Sequence, residues 1–158
     1  MLKSYLLLLT TAIFTACNTN KTTVTDEETD SAKPLENTIM VPNTQCYASM
    51  NGKDTIFLKL EKFPDVVTGS LTYKLYEKDA NKGDIDGKLS GDTLIADYRF
   101  TSEGKESVRQ VAFLIKDSTA TEGYTDMEDQ DGKMVFKNIS HIDFSKGIKL
   151  KQIDCPSE

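Results

Sequence analysis

The chain has 158 residues, with 25 acidic against 19 basic side chains, a net charge of −6, no tryptophan, three cysteines and one histidine. That length holds one domain and a tether, with no comfortable room for a second domain. The acidic balance, without any basic stretch, excludes the phosphate contacts on which nucleic-acid binding depends. A single imidazole and the lack of a C-x-x-C pair argue against a His/Cys metal centre.

The first element is apolar: Lys3 precedes a run from Tyr5 through Leu6, Leu7, Leu8, Leu9, Ile13 and Phe14 that closes on the small residues Thr15 and Ala16. A basic start, a short apolar core and small terminal residues follow the signal-peptide pattern. The run is shorter than the ~20 residues a membrane-spanning helix needs. Phe14-Thr15-Ala16-Cys17 resembles the lipobox of bacterial lipoproteins, with Phe14 where Leu is usual. The resemblance implies cleavage after residue 16, fatty acylation of Cys17 with palmitate-type chains, and a membrane anchor to which each buried methylene adds about 0.8 kcal/mol. Asn18, not Asp, after the cysteine resembles the outer-membrane sorting pattern. The expected location is therefore the cell envelope, on an outer membrane, facing the periplasm or the cell surface. Cleavage would remove Lys3 and no acid, leaving 142 residues with a net charge of −7.

Residues 17–44 are rich in Thr, Asn and charge, including Asp26, Glu27, Glu28 and Asp30. Such a stretch buries too little apolar surface to fold, and it reads as a flexible tether with a reach of roughly 30 Å. A β domain is expected over 45–158. Period-two alternation recurs along it, as in Ile56-Leu58-Leu60, Leu71-Tyr73-Leu75 and Leu94-Ala96-Tyr98-Phe100, each set facing one side of a pleated strand. The predicted strands are 45–51, 54–62, 66–78, 85–90, 93–102, 106–116, 120–127, 133–138 and 148–153. Asn51-Gly52, Lys82-Gly83, Ser90-Gly91, Glu103-Gly104 and Asp131-Gly132 punctuate them as hairpin turns. Cys46 and Cys155 flank the set, and in an exported chain their simplest state is a disulfide joining the first strand to the last. The fold class is thus all-β: an antiparallel meander closing into a barrel of about eight strands, which would remove exposed edges, with a β-sandwich as the alternative. By pattern the domain resembles lipocalin-like lipoproteins.

Asp79, Asn81, Asp84 and Asp86 alternate oxygen side chains along a stretch that resembles a calcium loop, although Gly83 and Ser90 stand where such a loop wants ligands. The bland reading is a hairpin loop in which these side chains bond the backbone. Arg99 and Arg109 fall on neighbouring strands and would form a carboxylate- or phosphate-binding pair if both pointed inward. The alternation instead sends Arg99 outward, towards Asp97 or Glu103. Ser140-His141 lacks the nucleophile elbow and oriented acid of a serine hydrolase, and no two carboxylates are selected as a glycosidase pair. No catalytic residue and no cofactor are assigned.

Asp30-Ser31-Ala32, Asp54-Thr55-Ile56, Asp92-Thr93-Leu94 and Asp117-Ser118-Thr119 resemble acceptor sequences for protein O-glycosylation in Bacteroidota, whose small lipoproteins this chain also resembles in its tether and acidic β domain. Ser31 is the candidate glycan site. The expected function is a non-enzymatic binding module for a small apolar or amphipathic ligand, with Tyr73, Tyr98, Phe100, Arg99 and Arg109 as candidate binding residues and Leu71 and Leu75 beside them. The alternative is a protein-binding accessory or inhibitor in the envelope, whose loops make the contact.

Overall fold

Alternating apolar residues between tight turns produce ten strands in the computed structural model, which describes residues 41–157. In chain order these are β1 (Asn43–Asn51), β2 (Asp54–Lys62), β3 (Val67–Lys74), β4 (Asn81–Ser90), β5 (Thr93–Ser102), β6 (Lys105–Lys116), β7 (Thr119–Gly123), β8 (Met127–Gln130), β9 (Lys133–Phe136) and, after a 3-10 turn at Ile139–His141, β10 (Lys149–Ile153). Strands β1 to β7 follow one another as antiparallel neighbours; β10 then fits between β7 and β1. Those eight strands form a closed antiparallel barrel. Cys46 and Cys155 are joined in a disulfide across the β1–β10 seam, with Cα atoms 5.1 Å apart.

The turns follow backbone sterics. Gly52 and Gly91 alone carry positive φ in the first loop position of their hairpins, the II′ arrangement in which glycine pays no Cβ penalty. Glu103-Gly104, Asp117-Ser118 and Asp131-Gly132 each have both residues at positive φ, as a I′ turn demands. Lys82-Gly83 is not a turn. Gly83 lies within β4, paired to Leu71 on one side and Phe100 on the other, where an added Cβ would collide with the Arg99 carbonyl. Glycine here allows close approach of two backbones inside the barrel wall, the other meaning of glycine in a strand. The reversal expected at 82–83 occurs over residues 75–80 instead, so β3 ends at Lys74 and β4 begins at Asn81, earlier than the predicted 85.

Register sorts the inner face into two layers. Towards the β4–β5 turn, Leu58, Leu60, Leu71, Leu94, Phe113 and Leu150 are fully buried and fill the barrel. Each such side chain contributes about 1.5–3 kcal/mol by leaving water. Towards the β5–β6 turn the inward positions become Tyr73 on β3, Tyr98 and Phe100 on β5, Arg109 on β6 and Glu122 on β7. The inner face thus changes from aliphatic to aromatic and charged along a single strand.

Residues 124–148 lie beside that second end. Tyr124 and Asp143 form a bridge, the Glu122 N–H donates to the Ile148 carbonyl, and a Cβ on Gly123 would strike the side chains of Ile142 and Phe144. Hairpin β8–β9 extends the sheet beyond the eight barrel strands, with β9 running parallel to β6 at Val108 and Arg109. Strand β6 therefore pairs with β7 through its second half and with β9 through its first. The sequence expectation of a strand at 120–127 is corrected accordingly, because β7 ends at Gly123 and a separate strand starts at Met127.

Candidate functional site

The cross-strand register makes Tyr98 the partner of Arg109 and Val108 the partner of Arg99. Because side chains alternate faces, that one-residue offset separates the two arginines. Arg109 enters the barrel; Arg99 stays outside, exposed and paired with Glu106 at 3.2 Å. Arg99 thus points outward, as the alternation implies, with Glu106 in place of Asp97 or Glu103 as its partner, and of the two candidate arginines only Arg109 is on the inner face.

Three rings enclose that cation. The Arg109 Cζ lies 5.3 Å from the Tyr73 ring centroid, 5.5 Å from Phe100 and 5.7 Å from Tyr98. Tyr98 and Phe100 stack at 4.7 Å, and Tyr73 tilts against Tyr98 at 6.0 Å. Each ring face offers the guanidinium about 0.5–2 kcal/mol of cation–π attraction, more where water is excluded. Arg109 makes no ion pair among the described residues.

Glu122, 5% exposed, supplies the opposite charge nearby. Its Oε1 accepts from the Tyr73 hydroxyl at 2.6 Å and its Oε2 from the Tyr124 hydroxyl at 2.8 Å. A buried carboxylate is costly unless such donors replace its water. Burial, reinforced by the Glu122 charge, pushes the Tyr73 and Tyr124 phenols upward, so both remain neutral donors. Tyr98 is pushed up to about 12, mainly by burial, with Arg109 acting in the opposite direction.

Three buried polar atoms in this region have no hydrogen-bond partner: the Tyr98 hydroxyl, Arg109 Nε and Asn81 Oδ1. An unmet buried group of this kind costs about 1–3 kcal/mol, and native interiors keep few. Arg109 and Asn81 line a cavity of about 280 Å³ whose apolar walls include Ile56, Leu75, Val111 and Phe136. Its polar lining includes Arg109, the hydrogen-bonded Glu122, Asn81 and Gln110, whose Oε1 accepts from the Phe136 N–H at 3.0 Å.

Tyr73, Tyr98, Phe100 and Arg109 come together as a cluster, and Leu71 is part of the packed core. The calcium reading fails on strand geometry. Asn81 shares the inner face with Gly83 and Ile85, whereas Asp84 and Asp86 project outward and Asp79 precedes the strand. Their oxygens do not converge, and no group of three or more metal-binding side chains occurs among the described residues. His141 is exposed at the end of the 3-10 turn, where Asn138 accepts from the Ser140 N–H. Cys17 and Ser31 lie outside the described residues.

The sequence reading missed Glu122 and Tyr124, and it named Asn81 only as a member of the calcium-like loop. For Glu122 a signal existed, since Ala120 and Glu122 share a face and Ala120 belongs to the core. A larger concavity, about 630 Å³, lies on the outer wall among Lys59, Thr68, Ser70, Asp84, Asp86 and Arg99. Its lining is charged, and none of the unpartnered buried atoms belongs to it; two of them, Asn81 Oδ1 and Arg109 Nε, are on residues that line the smaller cavity. No family model, no curated protein and no solved structure matches this chain.

Proposed function

We propose that the chain is a non-enzymatic binding module that takes a small amphipathic molecule into the mouth of its barrel, and that lipid on Cys17 holds it at the cell envelope. One observation carries the binding reading: Arg109, half-buried and without an ion-pair partner among the described residues, and Asn81 each bring an unpartnered buried atom, Nε and Oδ1, to a cavity with apolar walls. A ligand with a polar end and a short apolar body would satisfy both kinds of surface. The phenols around Glu122 are held protonated, which suits them to donate hydrogen bonds and unsuits them to act as bases near neutrality.

Native mass spectrometry of the full chain, extracted without denaturation from the membranes of its producing cell, tests this. The expected spectrum shows a bound small molecule that leaves on denaturation. A chain carrying none would favour the alternative of a protein-binding accessory. That second reading rests on the exposed apolar side chains Tyr124, Met134, Ile139 and Ile148.

A further inference from the structure

We propose that the polar end of the ligand is a carboxylate and that Arg109 is its anchor; this rests on the binding-module reading above. The cation selects for a negative charge. Arg109 has three aromatic faces around it, makes no ion pair among the described residues, and keeps its buried Nε–H without an acceptor. The nearest acid on the inner face, Glu122, already spends one oxygen on each of two tyrosines. Cation–π attraction and the field of Glu122 favour the half-buried guanidinium, yet neither supplies its buried Nε–H with an acceptor.

A planar carboxylate matches the guanidinium fork. Charge count separates a carboxylate from a phosphate monoester. One cation faces one nearby carboxylate, so a monoanion leaves the ligand and Glu122 sharing Arg109. A group bearing about −1.5 to −2 charges would be repelled by Glu122 in a poorly screened interior.

The cavity limits the rest of the molecule. At about 30 Å³ per water-sized group, 280 Å³ accepts on the order of ten non-hydrogen atoms. Ile56, Leu75, Val111 and Phe136 suit a hydrocarbon segment or a single ring for the part of the molecule held there. Asn81 Oδ1, on the first residue of β4, is an acceptor and therefore matches a donor on the ligand, not its anionic end.

The test uses the full chain in lipid nanodiscs, with empty discs as the blank, titrated with octanoate, 1-octanol, octylamine and octyl phosphate. These share a tail and differ in the head group. Calorimetry reads affinity, and the ¹⁵N-resolved Arg109 Nε–H resonance reports contact. Octanoate is expected to bind at least about tenfold tighter than 1-octanol, as one hydrogen-bonded charge pair implies, and to shift the Arg109 resonance. Arg109→Met is expected to bring octanoate down to the affinity of the alcohol, while Arg99→Gln leaves the preference intact. If Arg109→Met does not fold, the head-group series on the unaltered chain decides alone. Equal binding of acid and alcohol overturns the carboxylate inference and keeps the binding module. Tighter binding of the amine or the phosphate also overturns it, and failure of all four to bind removes both readings.

Discussion

Replacing Cys46 and Cys155 together by alanine is expected to lower the free energy of unfolding by about 4 kcal/mol, the effect of releasing a very long loop. The bond spans 109 residues, and in the chain-entropy model a loop of that size restricts the unfolded chain by about 4–5 kcal/mol, from which native strain subtracts. The location makes the bond matter further. Strands β1 and β2 are joined over nine residue pairs, whereas β1 and β10 share three, and β10 and β7 share three. Strand β10 offers one buried side chain, Leu150. It is the shortest stave of the closed barrel together with β7, so without the covalent link the barrel should open there first. Urea unfolding of the double variant, followed by amide exchange, checks this. Exchange should accelerate in β10 and the facing half of β1 before it does in β4 and β5. A loss below about 1 kcal/mol, with β10 still protected, would show that pairing alone closes the seam.

Alkaline pH should dismantle the domain between about 10 and 12. Tyr98 is fully buried beside Arg109 and has its phenol pushed from 10.0 up to about 12, with desolvation as the main cause. Tyr73, hydrogen-bonded to Glu122, is raised further. A phenol with a higher folded than unfolded value binds its proton more tightly in the native state. Its stabilising contribution is therefore intact below pH 10, declines as the unfolded phenol ionises, and is gone once the pH passes the folded value. Each pH unit is worth about 1.4 kcal/mol, so Tyr98 alone contributes on the order of 3 kcal/mol. Phenolate absorbance and far-ultraviolet circular dichroism, recorded on the same samples, test this. The buried tyrosines should ionise only as the strand signal disappears. Full ionisation near pH 10 with the strand signal intact would contradict the buried cluster.

Much of the barrel was legible because period-two alternation and turn chemistry are local. Leu94-Ala96-Tyr98-Phe100 shows its inner face without knowledge of any neighbour, and Glu103-Gly104 identifies its turn by backbone sterics. Placement of Cys46 and Cys155 at the two ends of the β domain pointed to the seam. What escaped depends on partners distant in the chain. Gly83 reads as a turn residue in isolation and is a point of close approach only because β5 passes against it. The parallel attachment of β9 to β6 has no local signature, and Met127–Gln130 carries two acids where an apolar alternation would have marked a strand.

The site shows the same division. Tyr73, Tyr98 and Phe100 were found from their strand faces, and the same alternation sent Arg99 outward, whereas the face of Arg109 was left open. Counting back from Val111 and Phe113, both buried, puts Arg109 on the inner face. Glu122 was hidden because an acid on an inward position contradicts the usual rule for barrel interiors. It is tolerated here because two tyrosine hydroxyls, one from β3 and one just beyond β7, reach its two oxygens. Such departures from local consistency are where function is expected to lie.

The central claim is that a small molecule occupies the inner cavity at the β5–β6 end of the barrel. It is tested most directly by an isotope-filtered NMR spectrum of the full chain isolated with its bound molecule, recording magnetisation transfer between molecule and protein. The expected result is transfer to the rings of Tyr73, Tyr124 and Phe136 and to the methyl groups of Ile56 and Val111. Transfer confined to the outer wall, at Thr68, Ser70 and Arg99, would contradict the account.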